Sequence, residues 1–224
     1  MSEIGDSGPI YTETDLSRLP VEPFNTFSNL IFLFIIVYWG RRIRAIKDKN
    51  FRRLLMIGLP ILFVGYVGGS VYHGTRSNNI WLIMDFMPII ILCLFVSMYM
   101  WKLVINNYWK IMAYMLVLTI GPRWVLQYFF HDSIFRISFG YLLLTVPIVY
   151  PMFIFEKRNH WKGKRDLFLT LACVLVAVSF RIFDSSDFVQ TYVPIGTHWL
   201  WHIFGGVTTH LLLVYLYRHT IRLD

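Results

Sequence analysis

The sequence predicts an all-α integral membrane protein whose single domain, residues 1–224, is a bundle of seven transmembrane helices. The first observation is composition: 56% of the 224 residues are hydrophobic and only 15% are charged, which is more apolar surface than one soluble core can bury. The second is the length of the apolar runs, because a spanning helix needs about 20 mostly apolar residues. After a polar leader at 1–22, the predicted spans are about 24–40, 54–73, 80–101, 109–130, 134–155, 167–184 and 196–217.

The basic residues are distributed unevenly between the two ends of these spans. Segments 41–53 and 156–166 carry seven and five Lys or Arg residues, and 16 of all 21 fall on the same side. Because basic residues near span ends are retained in the cytoplasm, we expect the N-terminus outside and the C-terminus cytoplasmic. The net charge of +8 is then explained by topology and contact with anionic lipid, and no nucleic-acid partner is expected. A bacterial inner membrane and a eukaryotic endomembrane both obey this rule and both stay open.

Two histidines lie four residues apart at the start of the seventh predicted span. In the sequence THWLWH at 197–202, His198 and His202 fall on one face of a helix and can bind one metal ion. The second predicted span runs outward and ends near His73, which places a third imidazole at the same level. Zinc is the usual metal at such ligands, and a catalytic zinc has three protein ligands and one open position. The sequence therefore predicts a zinc site formed by His73, His198 and His202.

An acidic residue, Asp85, lies near the start of the third predicted span, on the same side of the membrane as the three histidines. An acid inside a span costs about 2.5–3.5 kcal/mol at the helix centre on insertion scales and is a functional candidate by default. Taken alone, His198 and His202 fit equally well as interfacial residues of the amphipathic belt. The joint occurrence of three histidines and Asp85 on one side of the membrane favours the metal site.

The order of these residues resembles the alkaline ceramidase family, which belongs to the superfamily that includes the adiponectin receptors. The shared pattern is Ser-x-x-His at Ser70 to His73, then Asp85, then His-x-x-x-His at the start of the seventh span. The stretch EPFNTFSNL at 22–30 is also similar to the opening of the first span in that family. The resemblance covers most of the chain. It implies a hydrolase that cleaves the amide bond of ceramide or a similar N-acyl sphingolipid, with membrane lipids as its partners.

The resemblance also implies a role for each residue of the site. Zinc on the three histidines would activate a water and polarise the amide carbonyl, and Asp85 would carry a proton from that water to the leaving amine. Ser70 would help to hold the oxyanion. The animal members of the family have this serine one position earlier, where this chain has Gly69, and a shift of one residue turns a side chain by about 100° on a helix.

The calcium site of the family has an incomplete counterpart in the leader. Glu22 and Asn25 match the family pattern, and Glu13 and Asp15 offer further oxygens. Calcium takes six to eight oxygen ligands, and the full acidic motif is missing. A calcium site at these four residues is therefore weighed against a solvated acidic leader, and we expect the solvated leader.

Two other functions stay open. A metal-free serine hydrolase would use Ser70, His73 and Asp85, but the Gly-x-Ser-x-Gly elbow is missing and two histidines would have no role. A seven-span receptor or scaffold with a structural zinc is the second, although the short tail after the last span gives it little to signal with.

Two arginines lie within the predicted spans. Arg123 and Arg181 are expected to point into the bundle, because a guanidinium facing lipid is costly. Asp184 lies three residues after Arg181, so we expect these two to form an ion pair.

Overall fold

The computed structural model describes residues 4–129 and 133–221, and within these ranges the regular structure is entirely helical. The α-helices are α1 (Pro23–Ser28), α2 (Leu30–Arg42), α3 (Lys49–Thr75), α4 (Asn79–Val104), α5 (Tyr108–Phe129), α6 (Ser133–Arg158), α7 (Lys164–Phe183), α8 (Asp187–Tyr192) and α9 (His198–His219). A short 3-10 helix at Ile43–Ala45 extends α2. The first predicted span is thus α1 and α2, interrupted at Asn29.

Within the described residues, six helical segments are long and apolar enough to cross a bilayer. They are Pro23–Ala45, Lys49–Thr75, Asn79–Val104, Arg136–Arg158, Lys164–Phe183 and His198–His219. The chain therefore has the character of a multi-pass membrane protein.

The helix at the fourth predicted span, α5, does not belong to these six. Its 22 residues are about 33 Å long at 1.5 Å per residue, but Lys110, Arg123 and several aromatic residues lower its mean hydropathy. That α5 also crosses the membrane, which would make seven spans, stays a prediction, and so does the orientation of the termini. Arg123 is exposed, contrary to expectation, because α5 lies at the edge of the bundle and packs mainly against α6.

Helix α6 contains two prolines four residues apart. Pro151 has no N–H, so the carbonyl of Pro147 loses its helical donor. The buried hydroxyl of Ser97 in α4 donates to that carbonyl at 2.7 Å. Because an unpaired carbonyl is costly in hydrocarbon, this bond both replaces the helical one and connects α4 to α6.

Glycines allow two pairs of helices to approach closely. A Cβ at Gly68 of α3 would lie 2.6 Å from the carbonyl oxygen of Met84 in α4. A Cβ at Gly206 of α9 would lie 2.5 Å from the side chain of Ile31 in α2. Small residues at such contacts bring helix backbones together, so α3 packs closely on α4 and α9 packs closely on α2.

The leader is folded against one end of the bundle, and part of it is buried there. The N–H of Glu22 donates to the carbonyl of His73 at the end of α3 (3.1 Å), and the hydroxyl of Thr12 donates to the carbonyl of Asp184 after α7 (2.6 Å). Tyr11 is only 9% exposed. The expectation of a solvated acidic leader is therefore wrong for Glu13 and Glu22, which are buried, whereas Asp15 is exposed as expected.

The hydrogen bond from Ser97 to the Pro147 carbonyl should contribute to the stability of the bundle. Ser97→Ala should lower the free energy of unfolding by about 1 kcal/mol, because the Pro147 carbonyl would be left unpaired inside the bundle. Reversible unfolding in mixed micelles measures this. Ser179→Ala is the matched control, since that hydroxyl bonds only within its own helix, to the carbonyl of Leu175. An equal loss in the two variants would contradict the role given to Ser97.

Candidate metal centre

His73, His198 and His202 form a buried group that could hold a metal ion. One ring nitrogen of each lies within 4.8 Å of the other two, and the three residues are 0%, 1% and 4% exposed. Two of them lie on consecutive turns of α9, and the third lies near the end of α3. The structure thus brings together the three histidines that the sequence singled out.

Hydrogen bonds orient two of the three rings. Nδ1 of His73 lies 2.5 Å from the Glu22 carboxylate, and Nδ1 of His202 lies 2.7 Å from the Ser28 hydroxyl and 3.1 Å from the Asn25 carbonyl. Metal-bound histidines usually donate their second N–H to a carboxylate or carbonyl in this way. In His73 and His202, Nε2 is therefore the nitrogen left for a metal.

The third ring, His198, is covered by the leader. The ring of Tyr11 stacks on it with 3.8 Å between centroids. The carboxylate of Asp184 accepts the backbone N–H groups of Thr197 (2.6 Å) and His198 (2.9 Å). A negative charge at a helix N-terminus is favourable, so Asp184 fixes the start of α9 and with it the position of His198.

Unpaired nitrogens show that the group fits a metal ion. Nε2 of His73 and Nδ1 of His198 are buried and have no hydrogen-bond partner in the described part of the chain. Such atoms are rare in folded proteins because each one carries a desolvation cost. A cation bound among the three rings would remove that cost for His73, and imidazole donors suit zinc and other late transition metals.

Glu22 has both carboxylate oxygens fully occupied. One accepts hydrogen bonds from the Thr14 hydroxyl (2.7 Å) and the Arg76 guanidinium (2.7 Å), and the other accepts from His73 and from the Asn25 amide (3.0 Å). Burial raises the pKa of Glu22, but the bond from His73 and the nearby positive charge outweigh burial and lower the pKa to about 2. Glu22 is therefore ionised at neutral pH and is a strong acceptor for His73.

The residues considered for calcium have other partners. Glu13 accepts two backbone N–H groups at the start of α1, one of them from Asn25, and Asp15 is exposed on the leader. Glu22 is paired with Arg76, a buried cation that is 1% exposed. Across the described residues, the three histidines are the sole group of at least three His, Cys, Asp or Glu found able to hold a metal. The geometry therefore gives no support to calcium at these positions.

Asp85 lies beside the triad on α4. Its carboxylate sits against Gly69 of α3, where a Cβ would be 2.5 Å from Oδ1. Gly69 is four residues before His73, so both face the same side of α3. Asp85 also interacts electrostatically with His73 and Arg181. A side chain at position 69 would displace the Asp85 carboxylate from this place.

Ser70 is turned away from that face. It follows Gly69 by one residue, a rotation of about 100°, and in the described structure it makes no hydrogen bond to His73 or Asp85. Its role with the oxyanion stays a prediction. The metal-free hydrolase would need Ser70 bonded to His73, and the described structure shows no such bond, while Nε2 of His73 stays unpaired.

Arg181 does not form the predicted ion pair with Asp184. Its guanidinium carbon lies 5.1 Å from the ring centre of Tyr141 and 5.5 Å from that of Trp201, and its buried Nε has no hydrogen-bond partner within the described ranges. The prediction was wrong because the N–H groups at the start of α9 compete for the Asp184 carboxylate. Arg181 is instead a buried cation close to Asp85.

Sequence reasoning missed the contacts of Glu22 and Tyr11 with the triad and the ion pair between Arg76 and Glu22. The signal for Glu22 was its place before Pro23, at the start of the first span and hence at the level of His73. No comparable pattern marked Arg76 or Tyr11, because their contacts depend on how the leader folds back.

Removing one imidazole should remove the metal. His202→Ala should weaken metal binding by more than about 100-fold, beyond the usual cost of losing a supporting partner of a ligand. The metal content of purified protein, measured by mass spectrometry, tests this. His210→Ala is the control, since His210 lies on the same helix but packs against Tyr38 and Trp39. Equal metal content in the two variants would rule out the triad.

Loss of the hydrogen bond between Glu22 and His73 should weaken metal binding less than loss of a histidine ligand does. Glu22→Gln should weaken metal binding by about 10–100-fold, because the neutral amide is a poorer acceptor for His73. Competition with a chelator of known affinity measures the shift. Glu13→Gln is the matched control, since Glu13 bonds α1 and no histidine; a comparable shift there would mean that the effect comes from a disturbed leader.

No family model matches this chain, and no curated protein is significantly similar to it. The residues of the site and their geometry are therefore the basis for assigning a function.

Proposed function

We propose that the protein is a zinc-dependent hydrolase that cleaves the amide bond of an N-acylated lipid such as ceramide. The observation that carries the proposal is the buried triad with its unpaired His73 nitrogen, next to the carboxylate of Asp85. The order of these residues along the chain, which resembles that of the alkaline ceramidases, supports the choice of reaction.

The triad fits a catalytic zinc in ligand number and type. Three imidazoles leave the fourth tetrahedral position free for water or substrate. When bound, zinc would lower the pKa of a water to about 7 and polarise a carbonyl. The protein's part is to hold the three histidines: Glu22 and Ser28 bond the rings of His73 and His202, and Asp184 bonds the backbone of His198.

Asp85 is the group assigned to move the proton. As the water oxygen bonds to the amide carbon, the carboxylate accepts the water's proton. It returns that proton to the nitrogen as the C–N bond breaks, because an amine cannot leave as an anion. The products are a free amine and a carboxylic acid. Arg181 is buried, acts electrostatically on Asp85 and has an unpaired Nε, and its charge would favour negative charge on the reacting oxygen.

The position of the site supports a lipid substrate. The histidines and Asp85 lie on helices with the length and composition of membrane spans. The leader covers the triad at the helix ends, with Tyr11 stacked on His198. Beside Arg181, the aromatic rings of Tyr141 and Trp201 are only half-buried. A substrate arriving from the bilayer fits this arrangement better than one arriving through the leader.

Asp85→Asn tests the reaction and the proton role together. We expect fatty-acid release from ceramide to fall by about 10²–10⁴-fold while zinc content stays at the wild-type level, because Asp85 is not among the three ligands. Mass spectrometry of products and metal on the same samples measures both.

Asp187→Asn, in the exposed start of α8, is the matched control and should keep full turnover. Wild-type protein that holds zinc but releases no fatty acid from any N-acyl lipid would contradict the hydrolase and favour a receptor or scaffold. Full activity in Asp85→Asn would overturn the proton role alone.

A further inference from the structure

A cavity lies at the end of the bundle opposite the triad. Its volume is about 220 Å³, and its wall is formed by Trp39, Arg42, Ala45, Ile46 and Tyr217. Tyr217 is 15 residues after His202 on α9, which places the two about 22 Å apart along the helix. The cavity is thus separate from the candidate metal centre.

Arg42 in the wall of this cavity begins, with Arg41, a strongly basic segment whose charge is not neutralised by ion pairs within the described ranges. Segment 41–53 holds seven Lys or Arg residues and one acid, Asp48. The Asp48 carboxylate accepts the N–H of Phe51 and caps α3. Across the described part of the chain, none of the seven basic side chains forms an ion pair. An anionic ligand would therefore find unpaired cations here.

Arg42 is held at the mouth of the cavity. Its guanidinium carbon lies 4.4 Å from the ring centre of Tyr38, a cation–π contact that fixes the side chain and leaves its N–H groups available. The side chain is exposed. A guanidinium presents a fork of donors that matches the geometry of a phosphate.

Trp39 adds a buried donor to the wall. The residue is 2% exposed, and its indole N–H has no hydrogen-bond partner among the described residues. Its ring is packed against Phe51 (5.8 Å between centroids) and Tyr217 (5.9 Å), so it cannot turn easily to find one. An acceptor brought by a ligand would remove the cost of the unpaired donor.

The surface that continues from Arg42 is apolar. Phe34 and Tyr38 precede Arg42 at intervals of four residues, so all three lie on one face of α2, and Phe34 is 68% exposed. A headgroup at Arg42 would therefore have its acyl chains beside exposed aromatic residues of a membrane span. A free phosphate ion would make no use of this face.

We propose that this cavity binds the phosphate headgroup of an anionic phospholipid from the leaflet at the basic end of the bundle. Arg42 binds the phosphate, and Trp39 donates to an oxygen of the same headgroup. Basic pockets between helices at a membrane surface recognise lipids through this chemistry. The proposal depends neither on the metal nor on hydrolysis.

Native mass spectrometry of detergent-purified protein tests the proposal with equal amounts of phosphatidylglycerol and phosphatidylcholine. We expect the wild type to retain phosphatidylglycerol preferentially. Arg42→Gln should weaken this binding by about fivefold, the usual effect of one basic residue near an anionic surface. Trp39→Phe, which keeps the ring and loses the N–H, should also weaken it. Arg165→Gln, an exposed arginine on α7 outside the cavity, should leave binding unchanged.

Three outcomes would overturn the proposal. The first is equal retention of the two lipids by the wild type. The second is unchanged phosphatidylglycerol binding in both Arg42→Gln and Trp39→Phe, with thermal unfolding of each variant like that of the wild type. The third is displacement of the lipid by millimolar inorganic phosphate, which would identify a site for a soluble anion.

Discussion

The buried carboxylate of Glu22 is the group on which the histidine end of the protein depends. An ionised carboxylate is tolerated inside a protein only when hydrogen bonds replace its water. Glu22 obtains four, from Thr14 in the leader, Asn25 in α1, and His73 and Arg76 at the end of α3. Three segments must therefore be in place together, so folding of the leader and orientation of a candidate metal ligand are one event.

Close backbone contacts put the remaining groups next to that carboxylate. Gly68 lets α3 meet α4 at Met84, and Gly69 leaves the space that Asp85 fills. A side chain at position 68 would push α3 and α4 apart, and one at position 69 would displace the Asp85 carboxylate. The acid and the imidazole are close because neither glycine carries a Cβ, and the chemistry proposed for the site depends on this spacing.

The two ends of the bundle use charge in opposite ways. At the histidine end, Glu22, Asp184 and Arg76 are buried and paired with fixed donors or acceptors, which holds the metal ligands in place. At the other end, basic residues such as Arg42 are exposed and have no ion-pair partner in the described structure. Preorganised charge suits binding a metal ion and stabilising a reaction, whereas unpaired surface charge suits contact with anionic lipid.

The sequence by itself determined the helices and the level of the triad, because apolar length and the helical repeat are local properties. Thus 54–73 and 196–217 predicted α3 and α9, and spacing alone put His198 and His202 on one face. Only the tertiary structure decided which neighbours each polar group has. Gly69, rather than Ser70, lies against Asp85, and the Asp184 carboxylate bonds the start of α9. Such contacts depend on packing between distant segments, which no local sequence pattern encodes.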